Sequence, residues 1–235
     1  MDSLRRLLPF AALLIAAPLL TGCAGADNPA DPLEPFNRGM YRFNDTVDKA
    51  AIKPVAQAYK AVIPEPGRIL VGNFISNLDD ILVTANDLLQ LKFAQAASDG
   101  SRFLINSTFG LGGLFNVASR LEKHHEDFGQ TLGYWGVGDG PYLVLPFLGS
   151  SSMRDAPGLY VDTVTGAPGH IENIPARNQY YLGEFVHRRA ALLDSEKVLD
   201  EAAIDRYEMM RDAYLMRRKN LVYDGNPPRE RYYDE

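Results

Sequence analysis

Residues 66–91 read PGRILVGNFISNLDDILVTANDLLQL, and the fold class turns on this stretch. At 100° per residue, Leu70, Phe74, Leu78, Ile81, Leu82, Ala85, Leu88 and Leu89 fall in one broad sector. Asn73, Asn77, Asp80, Thr84, Asp87 and Gln90 fall opposite. Glu65 and Pro66 supply the carboxylate and proline that favour a helix start. The spacing predicts an amphipathic helix over 66–91. Its polar face carries no Lys or Arg before Lys92, whereas a helix lying alone on phospholipid heads is usually lysine-rich there. The apolar side is therefore expected to pack inward, with the asparagines facing water or something polar.

The same periodicity extends in both directions. Upstream, Phe36, Met40, Phe43 and Val47 share one helical face. Pro54 should end or kink that helix, and a second piece with Val55, Tyr59 and Val62 should stop at Pro64. Downstream, a helix from residue 93 through Phe103 leads into the glycine-rich turn TFGLGGLFNV (108–117). Residues 133–149, GYWGVGDGPYLVLPFLG, hold too many glycines for a regular helix. They predict a wrapped loop or short hairpin. Two helices, 176–193 and 195–221, close the fold, the second capped by Asp194 or Ser195. In that last helix Arg206 and Arg217 fall among Val198, Leu199, Ala202, Met210, Ala213 and Tyr214. Both arginines either snorkel to water or meet lipid phosphate or acidic side chains at a lined opening. No tandem repeat of solenoid period is present.

The amino terminus has a separate logic. Arg5 and Arg6 precede an apolar run, Leu7 to Leu20, and the single cysteine, Cys23, follows Leu20-Thr21-Gly22. The run has the layout of a secretory signal and is short for a bilayer span of about 20 apolar residues. Leu-Thr-Gly-Cys resembles the bacterial lipobox, in which the cysteine sulfur is acylated and becomes the first mature residue. Residues 1–22 thus read as a signal peptide, 23–34 as a lipidated, proline-rich tether, 35–221 as one helical domain and 222–235 as a disordered polar tail.

The chain carries a formal charge of −6, and the signal segment removes Asp2, Arg5 and Arg6, leaving the remainder more acidic still. That balance argues against nucleic acid and against a polybasic grip on anionic lipid. One cysteine excludes an intramolecular disulfide. Beyond the signal there is no run of 18 apolar residues and no series of ten-residue alternating strands.

Motifs for chemistry are weak. GLGG (110–113) lacks the GK[ST] of a phosphate loop, and Phe115 stands where a dinucleotide fingerprint needs glycine. HHED (124–127) has no HExxH context, and His170 and His187 are isolated, so a solvated turn is expected in place of a metal site. Ser150-Ser151-Ser152 is no GxSxG elbow. Asn106-Ser107-Thr108 reads as capping the break before Gly110.

Several stretches together resemble one family. DPLEPFNRGMYRFN (31–44), NFISNL (73–78), NSTFGLGGLFNVA (106–118), EDFGQTLGYWGVGDGPYLVLPFLG (126–149), Arg154-Asp155 and RRAALLDSE (188–196) occur in the order seen in the MlaA (VacJ) family of outer-membrane lipoproteins. The resemblance implies an all-α, ring-like bundle of amphipathic helices, membrane-embedded in the inner leaflet of the outer membrane and pierced by a narrow channel. It implies removal of misplaced phospholipids from the outer leaflet and delivery to a periplasmic phospholipid carrier, in complex with an outer-membrane porin trimer and with no catalysis, cofactor or metal. Ala24 after Cys23 agrees with outer-membrane sorting.

From these readings Cys23 is the expected lipid anchor. Asn73, Asn77, Asn106, Gly110, Gly112, Gly113, Arg206 and Arg217 are the expected channel or lipid contacts, and Tyr134, Trp135 and Tyr142 the expected membrane-interface residues. Asparagine-rich, uncharged polar faces suit zwitterionic head groups. Two other classes remain open at this stage. One is a lipoprotein that braces a porin without transport, the other a lipid or cell-wall hydrolase using HHED or the serine cluster.

Overall fold

The computed structural model describes residues 31–228, and their side chains except at 197–202. The signal segment, Cys23 and the tether up to residue 30 lie outside the described residues. Helix α1, Glu34–Val47, runs into a π-helical turn, Asp48–Ile52, and on into α2, Lys53–Val62. Pro54 sits in the first turn of α2 and does not end the helix. The Lys53 N–H reaches the Asp48 carbonyl one residue further back than an α-helix would use. That wider turn admits the proline ring without collision.

Helix α3, Glu65–Leu89, matches the expected span, and α4, Phe93–Phe109, follows after a tight turn with Leu91 at φ 61°. So short a connection makes the two helices antiparallel neighbours, and they pack along their length. The chain then wraps through α5, Phe128–Tyr134, a hairpin of β1 (Tyr142–Leu145) and β2 (Gly149–Ser152), and α6, Asp155–Thr165. The hairpin pairs Tyr142 with Ser152 and Leu145 with Gly149. A 3₁₀ turn, Ala167–His170, leads to the long α7, Ile174–Ala202, and then to α8, Arg206–Val222.

Four features depart from the sequence reading. Helix α5 was not anticipated: the Asp127 side chain caps it by accepting from Gln130 N. Helix α6 was also missed. The break between the last two helices lies at 203–205, not at 194–195, because Asp205 accepts from the backbone N–H groups of Tyr207 and Glu208. The first residues of the expected disordered tail are placed, with Asp224 pairing with Lys92 at 2.6 Å.

The ends of the described chain meet. Tyr207 of α8 donates its hydroxyl to Asp31, and Arg38 of α1 pairs with Asp205 at 2.7 Å. Helix α2 packs on α7, α3 on α4, and α5 on both α6 and α8. The helices thus follow one another around a closed circuit.

The polarity of this circuit is inverted. Asn77, Asp80, Asn86 and Asp87 of α3, and Gln90 at its C-terminal cap, are buried. Phe74, Ile81, Leu88 and Leu89 of the same helix are exposed. The expectation that the apolar side of 66–91 packs inward is overturned: the polar side faces the protein and the apolar side faces out. Neighbouring elements agree, with Phe93, Leu104, Phe109 and Leu111 each more than 60 % exposed. Water would reward the opposite arrangement. Hydrocarbon would not, since it solvates the apolar face and leaves polar groups to satisfy one another inside. Among the described residues no helix is long and apolar enough to cross a membrane.

Candidate functional site

The interior polar groups form connected networks. In the α3–α4 pair, Lys123 reaches Asp80 at 2.8 Å, and Arg102 lies 3.5 Å from the same carboxylate. His124 Nδ1 meets Asp99 at 2.6 Å. Glu126 accepts from Gln90 at 2.7 Å and from Lys92 at 2.9 Å. Thr131 donates to Asn86 at 2.8 Å. The HHED segment is therefore not a solvated turn: Glu126 is buried, and its carboxylate ties α3 to the connection ahead of α5.

One member of this group stands apart. Asp87 is 0 % exposed, and neither carboxylate oxygen has a hydrogen-bond partner. Burial, reinforced by the neighbouring Asp99 and Glu126 carboxylates, pushes its pKa up to about 7.

The glycine-rich turn is drawn against α3 by its asparagines. Asn73 Nδ2 donates to the Leu114 carbonyl at 3.0 Å, and Asn77 Nδ2 donates to Ser107 Oγ at 2.9 Å. Asn106 Oδ1 accepts from Ala118 N at 2.9 Å. Gly113, at φ +91°, leaves no room for a side chain, since a Cβ there would sit 2.5 Å from Asn77 Nδ2. Gly110 is closed off by the Phe115 and Asn106 carbonyls. Gly112, at φ +70°, faces open space. The structure thus gathers Asn73, Asn77, Asn106, Gly110, Gly112 and Gly113 into one compact knot. Asn106 joins the knot through the backbone beyond the turn.

The expected arginines part from this group. Arg206 sits at the start of α8, 4.0 Å from Asp45 and Glu196, and Arg217 is exposed. On α8 the arginines that point inward are Arg211 and Arg218. Arg218 bridges Asp127, at 2.5 and 2.9 Å, and Asp155, at 2.9 Å, and Tyr214 donates to Asp155 at 2.6 Å. Burial alone would raise the Asp127 and Asp155 carboxyls. The Arg218 charge and the hydrogen bonds outweigh it and hold both below their ordinary values. Tyr207, Arg211, Tyr214 and Arg218 follow helical spacing, and that inward face of alternating tyrosine and arginine was the signal available in the sequence.

Of the expected interface aromatics, Tyr134 and Trp135 are exposed at 45 % and 59 %, packed edge to face. Tyr142 is not at the surface. It is 1 % exposed, in contact with Tyr207 and Val144, with its hydroxyl 2.8 Å from Ser150 Oγ. Strand alternation turns it inward. There Asn37 clamps the strand, donating to the Tyr142 carbonyl and accepting from Val144 N, both at 2.9 Å. Ser150, Ser152 and His124 have separate commitments. Ser150 pairs with Tyr142, Ser152 accepts from Asp155 N, and His124 pairs with Asp99.

A cavity of about 350 Å³ opens between α2, α3 and α7. Lys60, Glu65, Arg68, Asp194 and His187 supply its polar lining, while Ile69, Gly72, Ala190 and Ala191 supply apolar wall. Lys60 meets both Asp194 oxygens at 2.5 Å, and Arg68 Nη1 donates to the Lys60 and Ile63 carbonyls at 3.0 Å. His187 Nδ1 lies 3.0 Å from Tyr59 OH, and its pKa is lowered by burial and by the Arg188 and Arg68 charges. Asn73 also lines this space, so the cavity and the glycine knot share α3.

The sequence model of the MlaA lipoprotein family matches residues 29–221. The chain is 37 % identical over 230 residues to the intermembrane phospholipid transport system lipoproteins MlaA of Shigella flexneri and of Escherichia coli K12. Each alignment covers 93 % of this chain and 90 % of the relative. A solved structure, reported as the structural basis for maintenance of bacterial outer membrane lipid asymmetry, superposes with a TM-score of 0.72 at 35 % identity. It covers 83 % of this chain and 99 % of that one. With an inverted, mostly helical circuit, a matching fold and a family match across nearly all the described residues, this chain belongs to the MlaA lipoprotein family.

Proposed function

We propose that this protein is an outer-membrane lipoprotein, anchored through acylated Cys23, that gives phospholipids a passive path out of the outer leaflet. The lipids pass to a soluble periplasmic carrier, and outer-membrane lipid asymmetry is maintained. The body sits in the inner leaflet beside a porin trimer. The observation that carries the reading is the inverted polarity: charged and amide groups inside, large apolar residues outside. A body built that way is stable in hydrocarbon and offers a polar interior within it. No energy source is required, because a conduit changes rates and leaves the equilibrium to the instability of misplaced lipid. Nor does the reading need covalent chemistry from Ser150, Ser152 or His124, each of which is held by another partner.

The test is complementation of a strain lacking its own family member, with outer-leaflet phospholipid measured by surface-accessible labelling. Restored asymmetry with the native chain, lost on Cys23→Ala, is expected. Equal asymmetry with and without the chain would refute the path. Purified protein that accelerates lipid exchange from asymmetric vesicles to a carrier separates a conduit from a brace, which moves nothing.

A further inference from the structure

We propose that the cavity between α2, α3 and α7 is a seat for the head group of a zwitterionic phospholipid, selecting it over an anionic one. The inference rests on the conduit reading and adds what that reading leaves open, namely where the head group sits and which charge pattern is favoured.

The volume of about 350 Å³ lies within the roughly 300–1,000 Å³ of small-molecule sites. Its lining is divided as a lipid head requires. On the polar side stand two cations, Lys60 and Arg68, and two anions, Glu65 and Asp194. Lys60 and Asp194 neutralise each other as an ion pair, so Arg68 and Glu65 stand as the separated cation and anion, and burial and the nearby arginine charges lower the pKa of the histidine in the same lining. A phosphate bound at Arg68 leaves a primary or quaternary ammonium within reach of the carboxylates. An anionic head group offers the phosphate alone and leaves the carboxylates facing more negative charge. Arg68 is held for this task, since its Nη1 is fixed by the Lys60 and Ile63 carbonyls at the end of α2. That leaves the rest of its planar guanidinium for an incoming oxygen.

On the apolar side, Ala190 and Gly72 bring α7 and α3 close, and Ile69 is 54 % exposed at the cavity. Val62, at the end of α2, is 75 % exposed. These residues suit the first carbons of an acyl chain. His187 marks the inner wall: a Cβ added at Gly72 would stand 3.1 Å from its Nε2. Tyr59 OH and His187 Nδ1 share a hydrogen bond that fixes the ring, with Nε2 turned toward Gly72.

The experiment uses the full-length, lipidated protein equilibrated with vesicles of equimolar phosphatidylethanolamine and phosphatidylglycerol, followed by mass spectrometry of the lipid that stays bound. The native chain should enrich phosphatidylethanolamine about fivefold over the vesicle ratio, the discrimination that one partly exposed ion pair supports. Glu65→Gln with Asp194→Asn should move the ratio toward phosphatidylglycerol by at least that factor without lowering total bound lipid, since both carboxylates are exposed. Ala191→Leu, which fills the cavity from an exposed position on α7, should lose most of the bound lipid while the melting temperature holds.

A native ratio equal to that of the vesicle would overturn the proposal. So would a ratio unmoved by the double variant, or undiminished lipid in Ala191→Leu. Lipid that binds but ignores these changes refutes the seat and leaves the conduit standing. Native protein that binds no lipid refutes both.

Discussion

Replacing Asp87 with asparagine should stabilise the protein at neutral and alkaline pH and do little in acid. Asp87 is fully buried with both oxygens unpartnered, and its pKa in the fold is raised to about 7 from an ordinary value of 3.8. The folded chain therefore holds this proton more tightly than the unfolded chain does. The stability it contributes is fully present below about pH 4 and is lost as pH rises through about 7. A shift of about three units corresponds to about 4 kcal/mol at 1.36 kcal/mol per unit. Asparagine keeps the shape and cannot ionise. At pH 8 the variant should be about 2–4 kcal/mol more stable than the native chain, and at pH 4 within about 0.5 kcal/mol of it. Denaturant unfolding of the two proteins in matched lipid or detergent at several pH values gives the difference directly. Taking that difference cancels other titrations, including Asp162, raised to about 6 chiefly by burial, and Asp127, which has the opposite sign. A difference that stays flat with pH, or a variant less stable at pH 8, would refute the reasoning.

Other perturbations have equally definite outcomes. Arg218→Met strands Asp127 and Asp155 without their common cation. It should cost about 3–5 kcal/mol, read as a lowered unfolding midpoint. Gly113→Leu should destabilise strongly, because its Cβ collides with Asn77. Gly112→Leu, facing open space, should cost only the left-handed backbone, about 1–2 kcal/mol. Melting temperatures of the pair check this, and equal losses would contradict it. Asn37→Ala removes both clamps on β1 and should expose the 142–152 hairpin to limited proteolysis while leaving helicity unchanged. Phe109→Glu with Leu111→Glu places two charges on outward residues 75 % and 68 % exposed. It should weaken retention in the membrane fraction without loss of fold.

The sequence made the helices legible because periodicity and caps are local. The boundaries of α3 at Glu65 and Leu89 follow from Glu65-Pro66 and the end of the apolar rhythm. Which side of that helix faces in could not be read the same way. A hydrophobic stripe has a direction and no sign, and the sign is set by the medium around the finished body. The hint was a polar face of asparagine, aspartate and glutamine without lysine, a composition suited to mutual pairing in an interior. The displaced break between α7 and α8 has a different cause. Asp194-Ser195-Glu196 and Asp205-Arg206-Tyr207-Glu208 both offer caps, but Asp194 is drawn to Lys60 and Glu196 to Lys53 and Arg189, whereas Asp205 keeps its backbone N–H partners and is joined by Arg38 of α1. Such a contact spans most of the chain and leaves no local trace.

The candidate site divides along the same line. The asparagines and glycines found from sequence do come together, but as a packed knot, because Gly113 and Asn77 touch across α3 and the turn. Arg211 and Arg218 escaped notice because a buried arginine is ordinarily rare. Their inward face becomes sensible only where Asp31, Asp127 and Asp155 converge on it from three other segments.

The central claim is that lipid, not water, covers the apolar outer face. It is tested by moving the single tryptophan: Trp135→Phe combined with Leu104→Trp, reconstituted into bilayers whose acyl chains carry bromine at known depth. Position 104 is 63 % exposed on α4. The account predicts fluorescence strongly quenched by the bromines and indifferent to aqueous iodide. Quenching by iodide with none from the brominated chains would place that face in water and contradict the account.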